Sequence, residues 1–243
     1  MKKLILFLLA LVGLPFLWAL AVSVLRCLAL DAVPRTLFTA GQWWFVGGGV
    51  VMTMLYVWKG RKLSPVYVFA HEMTHALAGV CCGARIHRVS IRETGGFVEL
   101  SKSNLFITLA PYCVPLYLLF FVLLRWIVDG FWPEAVAAEL WNFVLGMAFL
   151  FHLLYTGDAL LTVAQPDVRV YGRLFSYEVI VFANLLFAFI SLLLIAHLSG
   201  WEQGRNLVIR TWRSYATVVH VASLPFNRSH SSPTSAPRGH TNE

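Results

Sequence analysis

The sequence predicts an all-α, polytopic membrane protein with about six transmembrane helices and a short β-hairpin after the third. Three observations carry this expectation. Hydrophobic residues make up 58% of the 243 residues and charged residues only 13%, against about half and about a quarter in soluble domains. The apolar residues come in long blocks, most near the ~20 residues needed to cross a bilayer. Basic residues collect between those blocks, where loops meet anionic headgroups.

The first block, residues 4–25, follows Lys2-Lys3. Its length exceeds the ~7–15 residues of a signal-peptide core, so it reads as a retained span. Pro34-Arg35 marks a turn in the loop that follows. Residues 42–58 form the second span, with Trp43, Trp44 and Trp58 placed as an aromatic belt. A basic loop, Lys59-Gly60-Arg61-Lys62, leads to the third span, residues 64–82. Pro65 suits a first helical turn with Ser64 as cap, and Gly83 suits the far end. Residues 86–101 alternate, turn at Glu93-Thr94-Gly95-Gly96 and resume extended character, which predicts a β-hairpin.

Residues 105–124 form a fourth span interrupted by Pro111 and Pro115, tolerable where neighbours satisfy the freed carbonyls. Residues 140–164 and 177–198 are the fifth and sixth. Residues 1–198 thus form one transmembrane domain. Residues 199–243 comprise an amphipathic stretch to about Phe226 and a Ser/Pro/Arg-rich tail expected to be disordered. No internal repeat is visible.

The net charge of +7 fits lipid-facing loops. A nucleic-acid partner would require a basic face on a soluble domain, which this chain lacks. Cys27, Cys81, Cys82 and Cys113 have no regular spacing and read as buried membrane residues, not a disulfide framework. Lys2, Lys3, Lys59, Arg61 and Lys62 favour a cytoplasmic amino terminus. Arg85, Arg88, Arg92 and Lys102 pull the other way, a conflict that a hairpin folded back into the membrane would relieve.

The chemistry concentrates in His71-Glu72-Met73-Thr74-His75 on the third span. Residues four apart share a helix face, so both imidazoles can bind one zinc ion. Glu72 can then take a proton from the attacking water and pass it to a leaving amine. His71 lies about 10 Å along the helix from Ser64, inside the membrane but near the basic loop. At this chain's His and Glu frequencies the pattern arises by chance in about one such chain per hundred. A structural histidine pair bonded to neighbouring helices is the plainer reading. The insertion cost of ionisable groups, about 3 kcal/mol for Asp, Lys or Arg, favours a functional site. Ala76, Ala78 and Gly79 allow the close packing a buried site needs.

A third protein ligand must come from elsewhere, leaving a fourth position for water and substrate. The residues leave Asp158, Asp167 and His152 open, with His152 also able to donate to a reacting carbonyl.

His71-Glu72-Met73-Thr74-His75-Ala76-Leu77-Ala78-Gly79 resembles the metal-binding helix of the site-2 protease metallopeptidases, especially their small bacterial branch without a PDZ domain. The zinc helix, the Gly95-Gly96 hairpin, a further span and a span ending near an aspartate follow in the same order, over roughly residues 64–184. The resemblance implies zinc as cofactor, His71 and His75 as ligands, Glu72 as catalytic base and transmembrane segments of other proteins as substrates. It also implies a multi-pass protein of the bacterial inner membrane. For the third ligand it implies Asp167, because Gln165-Pro166-Asp167 comes nearest to the Asn-Pro-Asp-Gly context of that family. The hairpin would offer a strand edge to hold an unwound substrate.

Two other readings follow from the same residues. One is a catalytically silent relative acting as a membrane scaffold or regulator. The other is a membrane-surface zinc peptidase whose third ligand is Glu134, Glu139 or Glu178.

Overall fold

In the computed structural model, the structure describes residues 2–29, 40–60, 64–92, 95–162, 165–195 and 200–223. The chain is mostly helical. Helices α1 (Lys2–Ala29), α2 (Ala40–Lys59) and α3 (Ser64–Cys81) precede a hairpin of β1 (Ile86–Arg92) and β2 (Gly95–Leu100). Then come α4 (Leu105–Cys113), α5 (Leu116–Phe131), α6 (Ala138–Thr162), the single turn α7 (Asp167–Val170), α8 (Arg173–Ile195) and α9 (Gly200–Ser223). The expected disordered tail lies outside the described residues beyond 223, and the basic loop at 61–62 lies outside them as well.

Among the described residues, three helices are long and apolar enough to cross a membrane: Lys3–Cys27, Ala138–Thr162 and Arg173–Ile195. The expected second and third spans are helical but less apolar, because α2 carries Gln42 and a run of glycines and α3 carries the His-Glu motif. The expected fourth span is two helices, α4 and α5, meeting at 74°. The cause is local. Val114 is extended and Pro115, which has no N–H to donate, begins α5. The freed carbonyl of Tyr112 is taken by two neighbours, Asn184 Nδ2 at 2.9 Å and His152 Nε2 at 3.3 Å. Pro111, by contrast, sits within α4 without ending it.

Packing is closest where glycines meet backbone. A Cβ at Gly48 would run into the Phe143 carbonyl, and one at Gly146 into that of Phe45, so α2 and α6 lie against each other. A core of Leu20, Phe45, Leu145, Phe149, Phe189 and Leu192 joins α1, α2, α6 and α8. A smaller cluster of Ala78, Ile107 and Ala110 fixes α4 against α3.

The end of α3 determines where the hairpin goes. Gly83 adopts φ 69°, and Ala84 N–H donates to Gly79 O at 2.8 Å. This is a left-handed glycine stop that reverses the chain. The hairpin then runs back beside α3, pairing Val89 with Val98 and Ile91 with Gly96. Leu100 packs onto Gly79, while Gly96 reaches the level of Glu72.

Candidate metal centre

His71, Glu72 and His75 lie on the third and fourth turns of α3. The imidazoles of His71 and His75 stand 5.0 Å apart between ring centres, nearly perpendicular at 80°. Asp167 arrives from the start of α7, directly after Pro166. One potential ligand atom from each of His71, His75 and Asp167 lies within 4.8 Å of the other two. Among the described residues no other group of three such side chains converges in this way.

The donor set is pre-oriented. His75 Nδ1 lies 2.9 Å from the carbonyl of Ile107. A carbonyl only accepts, so Nδ1 carries the proton and Nε2 keeps a lone pair in the neutral ring. That lone pair faces Asp167 Oδ2 across 3.6 Å. Two electron-rich atoms held face to face require a cation, either a proton on His75 or a metal ion between them. The spacing matches the metal, since ligands about 2.1 Å from a tetrahedral zinc ion stand about 3.4 Å apart. The third donor, His71, completes an N,N,O set suited to zinc. Zinc therefore fits the residues present.

Outer partners hold these ligands in place. The single proton of the Tyr112 hydroxyl is shared between Gln165 Oε1 at 2.8 Å and Asp167 Oδ2 at 3.2 Å. The Tyr112 ring lies 5.1 Å from that of His71, edge to face. The Tyr67 hydroxyl is 3.5 Å from His71 Nδ1. Burial of the Asp167 carboxylate opposes its ionisation, but His75 and the Tyr112 hydroxyl outweigh that and hold its pKa below the ordinary aspartate value. The site is not sealed: the His75 and Asp167 side chains are 16% and 27% exposed, which gives water a way in.

Glu72 sits beside this set and is buried, 6% exposed. Gly96 of the hairpin lies over it, so that a Cβ there would come 2.6 Å from Glu72 Cγ and 2.7 Å from Ser90 O. Only glycine permits the strand to approach the carboxylate stem this closely.

The other candidates fall elsewhere. Asp158 lies on α6 and is not part of the convergent group. His152 bonds to the Tyr112 carbonyl as a helix neighbour. Glu134 and Glu139 lie at the exposed connection into α6, and Glu178 packs against Gly13 of α1. Sequence reasoning missed Tyr112, Gln165, Asn184 and the Ile107 carbonyl. The one available signal was the presence of polar side chains within or beside apolar runs. No family model matches the chain, and no curated protein or solved structure matches it either.

Proposed function

We propose that this protein is a zinc-dependent intramembrane endopeptidase that hydrolyses peptide bonds in or near membrane-spanning segments of other proteins. The observation that carries the reading is the convergence of His71, His75 and Asp167 next to buried Glu72, within a bundle of membrane-length helices. The resemblance of the motif helix to site-2 proteases supports the reaction class. In the bilayer, α1, α2, α3, the bent α4–α5 pair, α6 and α8 would make about six crossings of a bacterial inner membrane.

Bound zinc would polarise the scissile carbonyl and acidify the attacking water. His71, His75 and Asp167 would hold it, with Ile107 and Tyr112 fixing the ligand orientations. Glu72 accepts the water's proton and returns it to the leaving amine, so no net proton is consumed. Burial of its stem under Gly96 keeps that carboxylate aimed at one place. The free edge of the hairpin beside it can pair with a locally unwound substrate segment and hold its peptide bond extended.

The test uses purified full-length protein in lipid nanodiscs with a transmembrane reporter substrate. One zinc per chain is expected by elemental analysis. Glu72→Gln is expected to retain zinc while cleavage falls by about 10²–10⁴-fold. A protein that holds no zinc and does not cleave would sink the reading and leave a membrane scaffold in its place, while cleavage that survives Glu72→Gln would overturn Glu72 as the base.

A further inference from the structure

Helix α9 packs along α1. Arg210 Nη1 donates to Ser23 Oγ at 2.8 Å, and Tyr215 Oη donates to the Val12 carbonyl at 2.6 Å. The two contacts run in opposite senses along the two helices, so α9 returns antiparallel to α1. Between them lies an open pocket of about 500 Å³, lined by Trp18, Val22, Arg26, Arg210 and Arg213 among others. That volume lies within the ~300–1,000 Å³ of ligand sites.

Its chemistry is two-sided. Arg26, Arg210 and Arg213 contribute three guanidinium groups to its lining, the group best matched to phosphate oxygens. From Val22 an apolar stripe continues at helical spacing through Trp18 and Leu14 to Leu11. Trp18 is 68% exposed and Leu14 and Leu11 are 44% exposed each. The depth is right as well. The 28 residues of α1 span about 42 Å and exceed the ~30 Å hydrocarbon thickness, which puts Arg26 at headgroup level.

We propose that the α1–α9 pocket binds the phosphate headgroup of an anionic phospholipid, with its acyl chains lying along Trp18, Leu14 and Leu11. A free anion would use the arginines but not the stripe, and a neutral lipid would use the stripe but not the arginines. Only an acidic amphiphile satisfies both. The site is independent of the metal centre and of the peptidase reading.

Native mass spectrometry of the full-length protein in detergent, titrated with dioleoylphosphatidylglycerol or dioleoylphosphatidylcholine, tests this. One phosphatidylglycerol is expected to be retained in preference to phosphatidylcholine, and excess inorganic phosphate should not displace it. Arg213→Gln removes an exposed charge and is expected to weaken retention about fivefold. Val22→Phe fills the pocket with every charge kept, and is expected to weaken it as much. Arg205→Gln, an exposed charge on α9 outside the pocket, should change nothing. Equal retention of the two lipids, displacement by phosphate, wild-type retention in either pocket variant, or equal loss in Arg205→Gln would overturn the proposal.

Discussion

Among the described residues, two polar clusters meet at Tyr112. Its hydroxyl supports Asp167 of the candidate metal centre, while its carbonyl accepts from His152 and Asn184. Both contain histidine, but they differ in exposure and in what they leave unspent. At the α4–α5 bend the donors terminate on the Tyr112 carbonyl, left without a helical partner where α4 ends, so the histidine there completes the backbone's own hydrogen bonding. At the candidate metal centre His75 spends only Nδ1 on the backbone and aims Nε2 at a carboxylate. A buried histidine in an apolar run is therefore not a signal of function by itself. The signal is a lone pair left over and aimed at another.

The comparison breaks most directly at Asp167. If the leftover lone pairs form the site, Asp167→Asn should weaken zinc binding by more than the ~10–100-fold typical of losing an outer partner. Asp158→Asn should leave zinc binding within about twofold, because Asp158 stands outside the convergent group. Isothermal titration of zinc into the metal-stripped variants measures both. The reverse ranking would move the site to α6.

A smaller effect separates metal binding from base placement. Gly96→Ala adds a methyl that meets both Glu72 and Ser90 O, and one of those contacts is backbone that cannot swing aside. The hairpin must shift while the three ligands stay put. Cleavage is expected to fall by about 10²-fold, the scale of a 1 Å misplacement of reacting groups, with zinc content unchanged. Parallel loss of zinc would show that the hairpin supports the ligands and not Glu72.

The sequence exposed the helical class, the hairpin and the motif helix because each rests on local pattern: long apolar runs, alternation around Gly95-Gly96, and two histidines one turn apart. It blurred the fourth span, since Pro111 and Pro115 look alike in sequence. Pro111 sits inside α4, whereas Pro115 coincides with an extended Val114 and a 74° bend. The convergence of Asp167 with α3 was beyond local pattern altogether. It depends on the Gln165-Pro166 entry into α7 and on a tyrosine 55 positions away donating to the carboxylate. The same holds for Tyr112 and Asn184, whose roles exist only once the chain has bent.

The smallest expected effect tests the other half of the comparison. If His152 and Asn184 serve the backbone, removing one should leave zinc affinity and the pH profile of cleavage unchanged. Losing the partner of a buried carbonyl costs about 1–3 kcal/mol, and here the second donor remains, so the low end applies. His152→Phe, which keeps the ring volume, should thus lower the thermal midpoint by a few degrees. Asn184→Leu should cost more, because its bond to Tyr112 O is the shorter at 2.9 Å and it also bonds Ile180 O at 2.8 Å. The double variant leaves the Tyr112 carbonyl with neither donor and should exceed the sum of the two. A zinc affinity that fell in His152→Phe would instead tie this histidine to the metal centre. The two clusters would then be one extended network, coupled through the Tyr112 main chain.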